Sequence, residues 1–191
     1  MKHYWLIIVI SIATAVGLNN VLLLVDIAQY SKAYQETVDI LYSPPFWKQI
    51  LYTGILVPVI EELIFRGLIF KLVRKWMPFV VAMIVSAILF GLYHGNLVQF
   101  VYASICGLLL AYLYEVFGSI VATILGHMCM NVTACVMTEY GMFNWMFENV
   151  VRVWVVTVGC IVIFSVAFIY LQKLDVTKLL KKYCKHSDDV I

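Results

Sequence analysis

Six polar or charged side chains that could take part in catalysis lie inside strongly apolar stretches of this chain. They are Glu61, Glu62, Arg66, His94, His127 and Asn131. An ionisable group at the centre of a membrane helix costs roughly 2.5–3.5 kcal/mol, so such groups mark functional sites more often in a membrane than in water. Carboxylate, imidazole and amide groups together could activate water and stabilise a developing negative charge.

The two adjacent carboxylates are expected to have different roles. Glu62 and Arg66 are four residues apart, so on a helix they share a face and can form an ion pair. Glu61 is turned about 100° away from Glu62 around the helix, so Glu61 does not share a face with Arg66 and is not expected to pair with it. We therefore expect Glu62 to be structural and Glu61 to be free to act as a general base. The alternative is a charged network that only holds helices together.

Two further motifs repeat the four-residue spacing. Phe90 and His94 share one helix face, and so do His127 and Asn131. The imidazoles could either hold a divalent metal together with Glu61 or polarise water and substrate directly. Asn131 could donate to an oxyanion on a scissile carbonyl. The residue types permit both the metal and the metal-free version.

The composition requires a lipid environment for the elements that position these groups. Of the 191 residues, 64% are hydrophobic and only 13% are charged, against about a quarter charged in a soluble domain. About 20 apolar residues span a bilayer as a helix. The stretches that qualify are residues 4–25, 46–70, 79–97, 99–117, 118–138 and 150–171. We predict an all-α integral membrane protein, a bundle of about six transmembrane helices forming one domain (residues 1–191) with its motif-bearing core at about 46–138.

Short connections and a surface helix are also expected. Gly95 and Asn96 should form a tight hairpin between the third and fourth spans, and Gly91 with Gly95 forms a GxxxG step that would let another helix approach closely. Segment 26–45 is polar, and its apolar residues recur at helical spacing, which predicts a short helix at the outer membrane surface. Those residues are Tyr30, Tyr34, Val38 and Leu41.

The basic residues predict that both termini are cytoplasmic. In that orientation the cytoplasmic side carries Lys2, Lys71, Arg74, Lys75, Lys173, Lys178, Lys181, Lys182 and Lys185, as the positive-inside rule requires. Residues 172–191 then form a basic cytoplasmic tail near anionic lipid. The first span has an alternative reading as a cleaved signal peptide, but its apolar run resumes at Val21. Counted at about 1.5 Å per residue from the cytoplasmic ends of their spans, Glu61 lies at a depth of about 13 Å and His94 at about 22 Å. These depths favour a site that is reached from the cytoplasmic half of the membrane.

Several other kinds of site are excluded by what the sequence lacks. The five cysteines form no disulfide framework and no CxxC pair. No His-Glu-x-x-His and no Gly-x-Ser-x-Gly motif occurs, and every aspartate falls outside the predicted bilayer core. The basic residues follow the topology and form no patch that would bind nucleic acid. Nothing in the sequence indicates an oligomeric state.

The three motifs together resemble those of the CPBP family, also called the Abi family, of CAAX prenyl endopeptidases and bacteriocin-processing enzymes. That family carries EExxxR, FxxxH and HxxxN on successive membrane helices. Here the motifs are Glu61-Glu62-x-x-x-Arg66, Phe90-x-x-x-His94 and His127-x-x-x-Asn131, complete and in order. The stretch from Gly107 to Ser119 is also similar to the family.

The resemblance implies an intramembrane endopeptidase that acts on a peptide or protein substrate in contact with membrane lipid. It implies that Glu61 activates water, that His94 and His127 lie beside it, and that Asn131 is at the oxyanion. Family members have been described both as metalloproteases and as metal-free glutamate proteases, so zinc is a first choice and a metal-free reaction the alternative. It also implies a role in prenyl-tail or bacteriocin processing, and the compact length favours a bacterial plasma membrane.

Two other functions are compatible with the same residues. A non-enzymatic bacteriocin immunity or membrane-binding protein would keep the fold and use the polar cluster for packing or binding. A small transporter or proton relay would also bury Glu and His, but it is expected to show inverted repeats, and none is found.

Overall fold

The chain folds into helices that alternate with short turns. The computed structural model describes residues 3–25 and 31–188, with the backbone alone for residue 23 and residues 174–188. We number the helices α1 (Tyr4–Leu24), α2 (Lys32–Tyr42), α3 (residues 46–76), α4 (Phe79–Tyr93), α5 (Leu97–Phe117), α6 (Ile120–Glu139), α7 (Met142–Phe147) and α8 (Val150–Asp188). No strand occurs within these described ranges, so the all-α prediction is confirmed.

The chain is a multi-pass membrane protein. Within the described part, four helical stretches are long and apolar enough to cross a bilayer. They are Tyr4–Leu22, Leu97–Phe117, Ile120–Glu139 and Val150–Lys173. Helix α4 is apolar but has only 15 residues. The count of six spans and the cytoplasmic placement of both termini stay predictions.

Helix α3 changes its winding along its length. It consists of α-helix at Phe46–Gln49, π-helix at Ile50–Leu56, α-helix at Val57–Glu62, π-helix at Leu63–Phe70 and α-helix at Lys71–Trp76. Pro58 has no N–H to donate to the preceding turn, which suits the wider turns before it. The winding changes on both sides of Glu61 and Glu62, and both of these carboxylates are buried.

The α4–α5 hairpin forms as predicted, but the two glycines near it have different roles. A Cβ at Gly91 would lie 2.1 Å from Ser104 Oγ and 2.7 Å from the Phe100 carbonyl oxygen, so Gly91 lets α5 pack closely. Gly95 lies beyond the end of α4 with φ of +77° and meets nothing within 4 Å. Helix α4 ends at Tyr93, and the predicted GxxxG step therefore holds for Gly91 alone.

Helix α2 is the predicted surface helix. Ser31 caps it by accepting a hydrogen bond from the Tyr34 N–H at 3.3 Å, and none of its residues is fully buried. Gln49 fixes the turn between α2 and α3 by donating to the carbonyl oxygens of Tyr42 and Pro44. Tyr30, the first member of the predicted pattern, falls outside the described residues.

Helix α8 is longer than the predicted sixth span. It continues from Val150 to Asp188, so the backbone of the predicted tail is helical up to that residue. The stretch after Gly159 has no glycine or proline to end the helix. Residues 189–191 and Lys2, which belong to the orientation argument, lie outside the described residues.

Candidate active site

The structure brings four of the predicted catalytic residues to one cavity. Glu61 projects from α3, His94 lies at the end of α4, and His127 and Asn131 project from α6. All four line a cavity of about 470 Å³ within the helix bundle, and so does Phe90. Glu62 and Arg66 are absent from its wall and are completely buried behind it.

The predicted ion pair between Glu62 and Arg66 is present. Arg66 Nη1 donates to Glu62 Oε1 at 2.7 Å, and both side chains have no exposed surface. Arg66 Nη2 donates to the Gly107 carbonyl oxygen at 3.0 Å, which ties α3 to α5. A Cβ at Gly107 would lie 3.2 Å from that same nitrogen and 3.0 Å from Ala87 Cα. Gly107 thus provides the space in which the arginine reaches the backbone of α5.

His127 connects the two carboxylates. Its Nδ1 lies 2.9 Å from Glu62 Oε1, and its Nε2 lies 3.6 Å from Glu61 Oε2. Because an ionised carboxylate only accepts hydrogen bonds, Nδ1 carries the hydrogen in the first contact. This contact leaves Nε2 on the side of Glu61. Glu62 therefore orients His127 as well as pairing with Arg66, a role that sequence spacing could not reveal across 65 residues.

His94 is also anchored through one ring nitrogen. Its Nδ1 lies 2.8 Å from the carbonyl oxygen of Phe90. A carbonyl accepts and cannot donate, so Nδ1 carries the hydrogen and Nε2 is left without this partner. His94 follows the last residue of α4, so the end of the helix, and not its middle, places this ring against the cavity.

One N–H of the Asn131 side-chain amide forms a hydrogen bond within the protein. Its Nδ2 donates to the Thr53 carbonyl oxygen at 2.8 Å, and Thr53 lies in the first π-helical stretch of α3. The second N–H of the amide and its oxygen are not used by this bond. The predicted oxyanion role therefore depends on one N–H only. Thr53 and Asn131 both line the cavity, and the contribution of Thr53 was missed because it comes from its backbone.

Phe90 packs against the side chains behind the cavity. Its ring meets the rings of His94 and His127 edge-on, with centroids 4.9 Å and 5.6 Å away. The guanidinium carbon of Arg66 lies 4.5 Å from the centre of the same ring. Phe65 contacts it from α3 at 5.0 Å. Phe90 thus contacts both imidazoles and the arginine, and its supporting role stays a prediction.

The cavity extends from Glu61 towards α2. Tyr34, Thr37 and Tyr42 of that helix form part of its wall. Segment 26–45 was predicted to lie outside the membrane on the non-cytoplasmic side. The cavity therefore lies towards the α2 end of the bundle, and the membrane face that this end meets stays a prediction. The reason is that His94, Thr53 and Asn131 all lie along their helices towards the α2 end.

The side chains do not form a ready-made metal site. Among the side chains that the structure describes, no three His, Cys, Asp or Glu groups lie together as a ligand set. His127 and His94 each keep Nε2 free of the hydrogen bond that anchors Nδ1, which is the arrangement of many metal-binding histidines. Glu61 does not complete a three-ligand group with them in this arrangement.

Two comparisons with known proteins agree with the motifs. The family model described as "Type II CAAX prenyl endopeptidase Rce1-like" matches residues 43–133, which contain all three motifs. A Bacillus subtilis protein named "Putative membrane peptidase YdiL" is 27% identical over 123 residues, which are 64% of this chain and 50% of that protein. The chain thus spans about half the length of this curated relative. No solved structure matches it. The match and the relative support the family that the motifs predicted.

Proposed function

We propose that this chain belongs to the CPBP family, as its three motifs and the two comparisons support, and that it is an intramembrane endopeptidase that hydrolyses a peptide bond with a water activated by Glu61. The observation that carries the proposal is that Glu61, both imidazoles and Asn131 line one cavity inside the helix bundle. A purely structural network would need no such cavity. We further propose a bacterial plasma membrane as its location, in keeping with the bacterial relative.

In the proposed reaction Glu61 is the general base. Its carboxylate takes a proton from a water molecule as the water oxygen attacks the scissile carbonyl carbon. The carbonyl electron pair moves to oxygen, and the free N–H of Asn131 donates to that oxyanion. The C–N bond then breaks, and the proton held by Glu61 passes to the leaving nitrogen. One water and one amide give one carboxylic acid and one amine.

Glu62 and His127 support this base without being consumed. Glu62 fixes Nδ1 of His127, so Nε2 is held 3.6 Å from Glu61. That separation is too long for a good direct hydrogen bond, but a water between the two groups could contact both. His94, anchored on the Phe90 carbonyl, would orient the water or the substrate from the end of α4. Each of the three motifs thus has a separate role in the proposed reaction.

The proposed steps use side chains alone, because the donor set does not form a three-ligand site. Zinc remains the alternative that the family resemblance implies. Metal analysis of purified protein before and after chelation, together with cleavage assays on both samples, distinguishes the two versions. Unchanged cleavage after the protein has been shown to be metal-free would support the glutamate mechanism. Loss of cleavage that added zinc restores would favour the metal version.

The decisive experiment measures cleavage by the protein in lipid nanodiscs, in which both membrane faces are accessible. A mixture of peptides of known sequence is added, and products are identified by mass spectrometry. We expect Glu61→Gln to lower the cleavage rate by about 10²–10⁴, the usual contribution of a general base. Glu115→Gln is the matched control, because Glu115 forms only an exposed ion pair with Arg74 far along α5.

Two outcomes would contradict the proposal. One is that folded wild-type protein cleaves no peptide in a sufficiently diverse mixture. The other is that Glu61→Gln cleaves as fast as wild type and Glu115→Gln. Either result would leave the cavity as a binding site and would favour the non-enzymatic reading of the fold.

A further inference from the structure

The first turn of α5 carries an amide side chain that lines the cavity and has no part in the proposed reaction. This residue is Gln99, and it lies across the short α4–α5 turn from His94, which lines the same cavity. The turn between them consists of Gly95 and Asn96. Gln99 and one of the proposed catalytic imidazoles are therefore held by the same hairpin.

Two reciprocal hydrogen bonds hold the Gln99 side chain in place. Asn96 caps α5, and its Oδ1 accepts the backbone N–H of Gln99 at 2.9 Å. The Nδ2 of the same Asn96 side chain donates to Gln99 Oε1. The arrangement is similar to a capping box, in which the capping residue and the residue three positions later bind each other. The Gln99 amide is thus oriented before any substrate arrives.

Hydrogen-bond chemistry fixes which way both amides face. A backbone N–H can only donate, so the Asn96 atom that meets it must be the oxygen. The NH2 group of Asn96 then faces Gln99, and because it too can only donate, the Gln99 atom that meets it must be the oxygen. Neither bond uses Nε2 of Gln99, which keeps both of its hydrogens. Since Asn96 does not line the cavity and Gln99 does, Nε2 is the polar group that Gln99 presents to the cavity.

Helix α2 lies close to the same turn of α5. Tyr34 packs against the apolar cluster that contains Val98, the neighbour of Gln99, and Tyr34 also lines the cavity. Thr37 follows Tyr34 in the wall, but it donates its one hydroxyl hydrogen to the Ala33 carbonyl oxygen at 2.8 Å. A peptide held between these two helices would therefore find in Gln99 a donor that the protein has not already used.

The position of Gln99 along α5 relates it to the buried carboxylates. Gln99 and Cys106 both line the cavity, and their separation of seven positions is about 10 Å along the helix axis. Gly107, the neighbour of Cys106, binds Arg66, which pairs with Glu62. Gln99 thus lies about 10 Å along α5 from the level of the carboxylates. An extended peptide covers that distance in about three residues.

We propose that Gln99 is a substrate-binding residue whose Nε2 donates to a main-chain carbonyl oxygen of the bound peptide, about three residues from the scissile bond. This inference rests on the proposed peptidase function. Because every peptide bond supplies such a carbonyl, the contact holds the chain without selecting a side chain. Asn96 is then a positioning residue, since it acts only through the orientation of Gln99.

The first test removes the donor. Cleavage of a peptide that wild-type protein in nanodiscs hydrolyses is compared with cleavage by Gln99→Met, which keeps the length of the side chain. We expect KM to rise about 3–10-fold, the usual value of one neutral hydrogen bond. We expect kcat to stay within about twofold, because the contact is the same in the ground state and in the transition state. Unchanged KM in folded Gln99→Met protein would overturn the proposal.

The second test reverses the Gln99 amide without changing a residue of the cavity wall. Asn96→Asp keeps an oxygen for the Gln99 backbone N–H and places a second oxygen where Nδ2 was. Gln99 must then turn Nε2 towards this carboxylate, and its oxygen faces the cavity. Aspartate is a good cap and its charge favours a helix start, so α5 should remain folded. We expect Asn96→Asp to raise KM as Gln99→Met does.

A double variant and a matched control show whether Asn96 acts through Gln99. The KM of the Asn96→Asp/Gln99→Met protein should equal that of Gln99→Met alone, because there is then no amide to reverse. Asn149→Asp makes the same change at the exposed start of α8, where Asn149 Oδ1 accepts the Val151 N–H at 2.9 Å, and should leave KM unchanged. Additive effects of Asn96→Asp and Gln99→Met, or an equal rise in Asn149→Asp, would overturn the positioning role.

The third test identifies the acceptor and does not depend on the folding of any variant. Peptides are made in which one carbonyl, two to four residues from the mapped bond, is replaced by a thiocarbonyl, a poorer hydrogen-bond acceptor. We expect one position to raise the KM of wild-type protein severalfold and to have no such effect in Gln99→Met. If wild-type protein cleaves all these peptides with the KM of the parent peptide, the carbonyl contact is overturned while the peptidase function stands. Cleavage of none of many unrelated peptides would instead remove the proposed function itself.

Discussion

Two groups of buried polar side chains connect the helices, and only one of them borders the cavity. One contains Glu62, Arg66 and His127, and its member His127 lines the cavity beside Glu61. The other joins α1 to α8 through a hydrogen bond from Asn20 Nδ2 to Thr157 Oγ1 at 3.3 Å. Neither Asn20 nor Thr157 lines the cavity. A polar group buried between membrane helices is thus a candidate for catalysis only where it borders space for a substrate.

The same contrast exists within one turn of α3. Glu62 has a cation at 2.7 Å and an imidazole at 2.9 Å, and it is completely buried. Glu61, its neighbour in sequence, lines the cavity and has an imidazole at 3.6 Å. Adjacent identical residues therefore differ in surroundings, and this difference is what the proposed division into a structural and a catalytic carboxylate depends on.

The largest expected effect on stability comes from Glu62→Ala. Removing this carboxylate leaves the buried Arg66 without its countercharge, and breaking a buried pair in this way costs about 3–5 kcal/mol. The free energy of unfolding, measured by reversible denaturation in detergent, should fall by that amount. Glu61→Ala is the matched control and should cost much less, because Glu61 has no ion pair of comparable length. Equal losses for the two variants would show that both carboxylates are structural.

A smaller decrease in the free energy of unfolding is expected when the space around Arg66 is filled. Gly107→Ala places a methyl group 3.0 Å from Ala87 Cα and 3.2 Å from Arg66 Nη2, so α4 and the arginine must both shift. Overpacking of this kind costs about 1–3 kcal/mol. Gly159→Ala in α8 is the control, since its Cβ would meet nothing within 4 Å. A stability loss for Gly159→Ala as large as that for Gly107→Ala would contradict the close approach described here.

The parts of the site that the sequence predicted are those set by local periodicity. The four-residue spacing of Glu62 and Arg66 predicted their ion pair, and the short link at Gly95 predicted the α4–α5 hairpin. The order of the three motifs indicated the family. Each of these inferences needs only the geometry of a single helix or turn, or the order of residues along the chain.

The parts that were missed depend on contacts between distant residues or on backbone atoms. The Glu62–His127 bond joins residues 65 positions apart, and Asn131 binds the carbonyl of Thr53 from 78 positions away. The winding of α3 changes several times within one apolar stretch, which its apolar pattern did not indicate. The position of α2 beside the cavity also depends on the assembled bundle. Periodicity within one segment carries no information on such contacts.

Asn20 is a buried polar residue inside the first predicted span, residues 4–25, for which the sequence indicated no role. It lies one position after Asn19, which lines the cavity, and helical geometry turns its own side chain towards α8. Its bond to Thr157 is neutral and long. Hydrogen bonds between membrane helices contribute about 0.6 kcal/mol on average.

The smallest predicted effect is therefore the coupling between Asn20 and Thr157. A double-mutant cycle with Asn20→Ala and Thr157→Val, measured as free energy of unfolding in detergent, should give a coupling of about 0.6 kcal/mol. Peptide cleavage by folded Thr157→Val protein should equal that of wild type, because Thr157 does not touch the cavity. A coupling comparable to the loss at Glu62→Ala, or a large fall in cleavage, would mean that both polar groups serve the site. The distinction between a paired polar group that borders a cavity and one that does not would then fail.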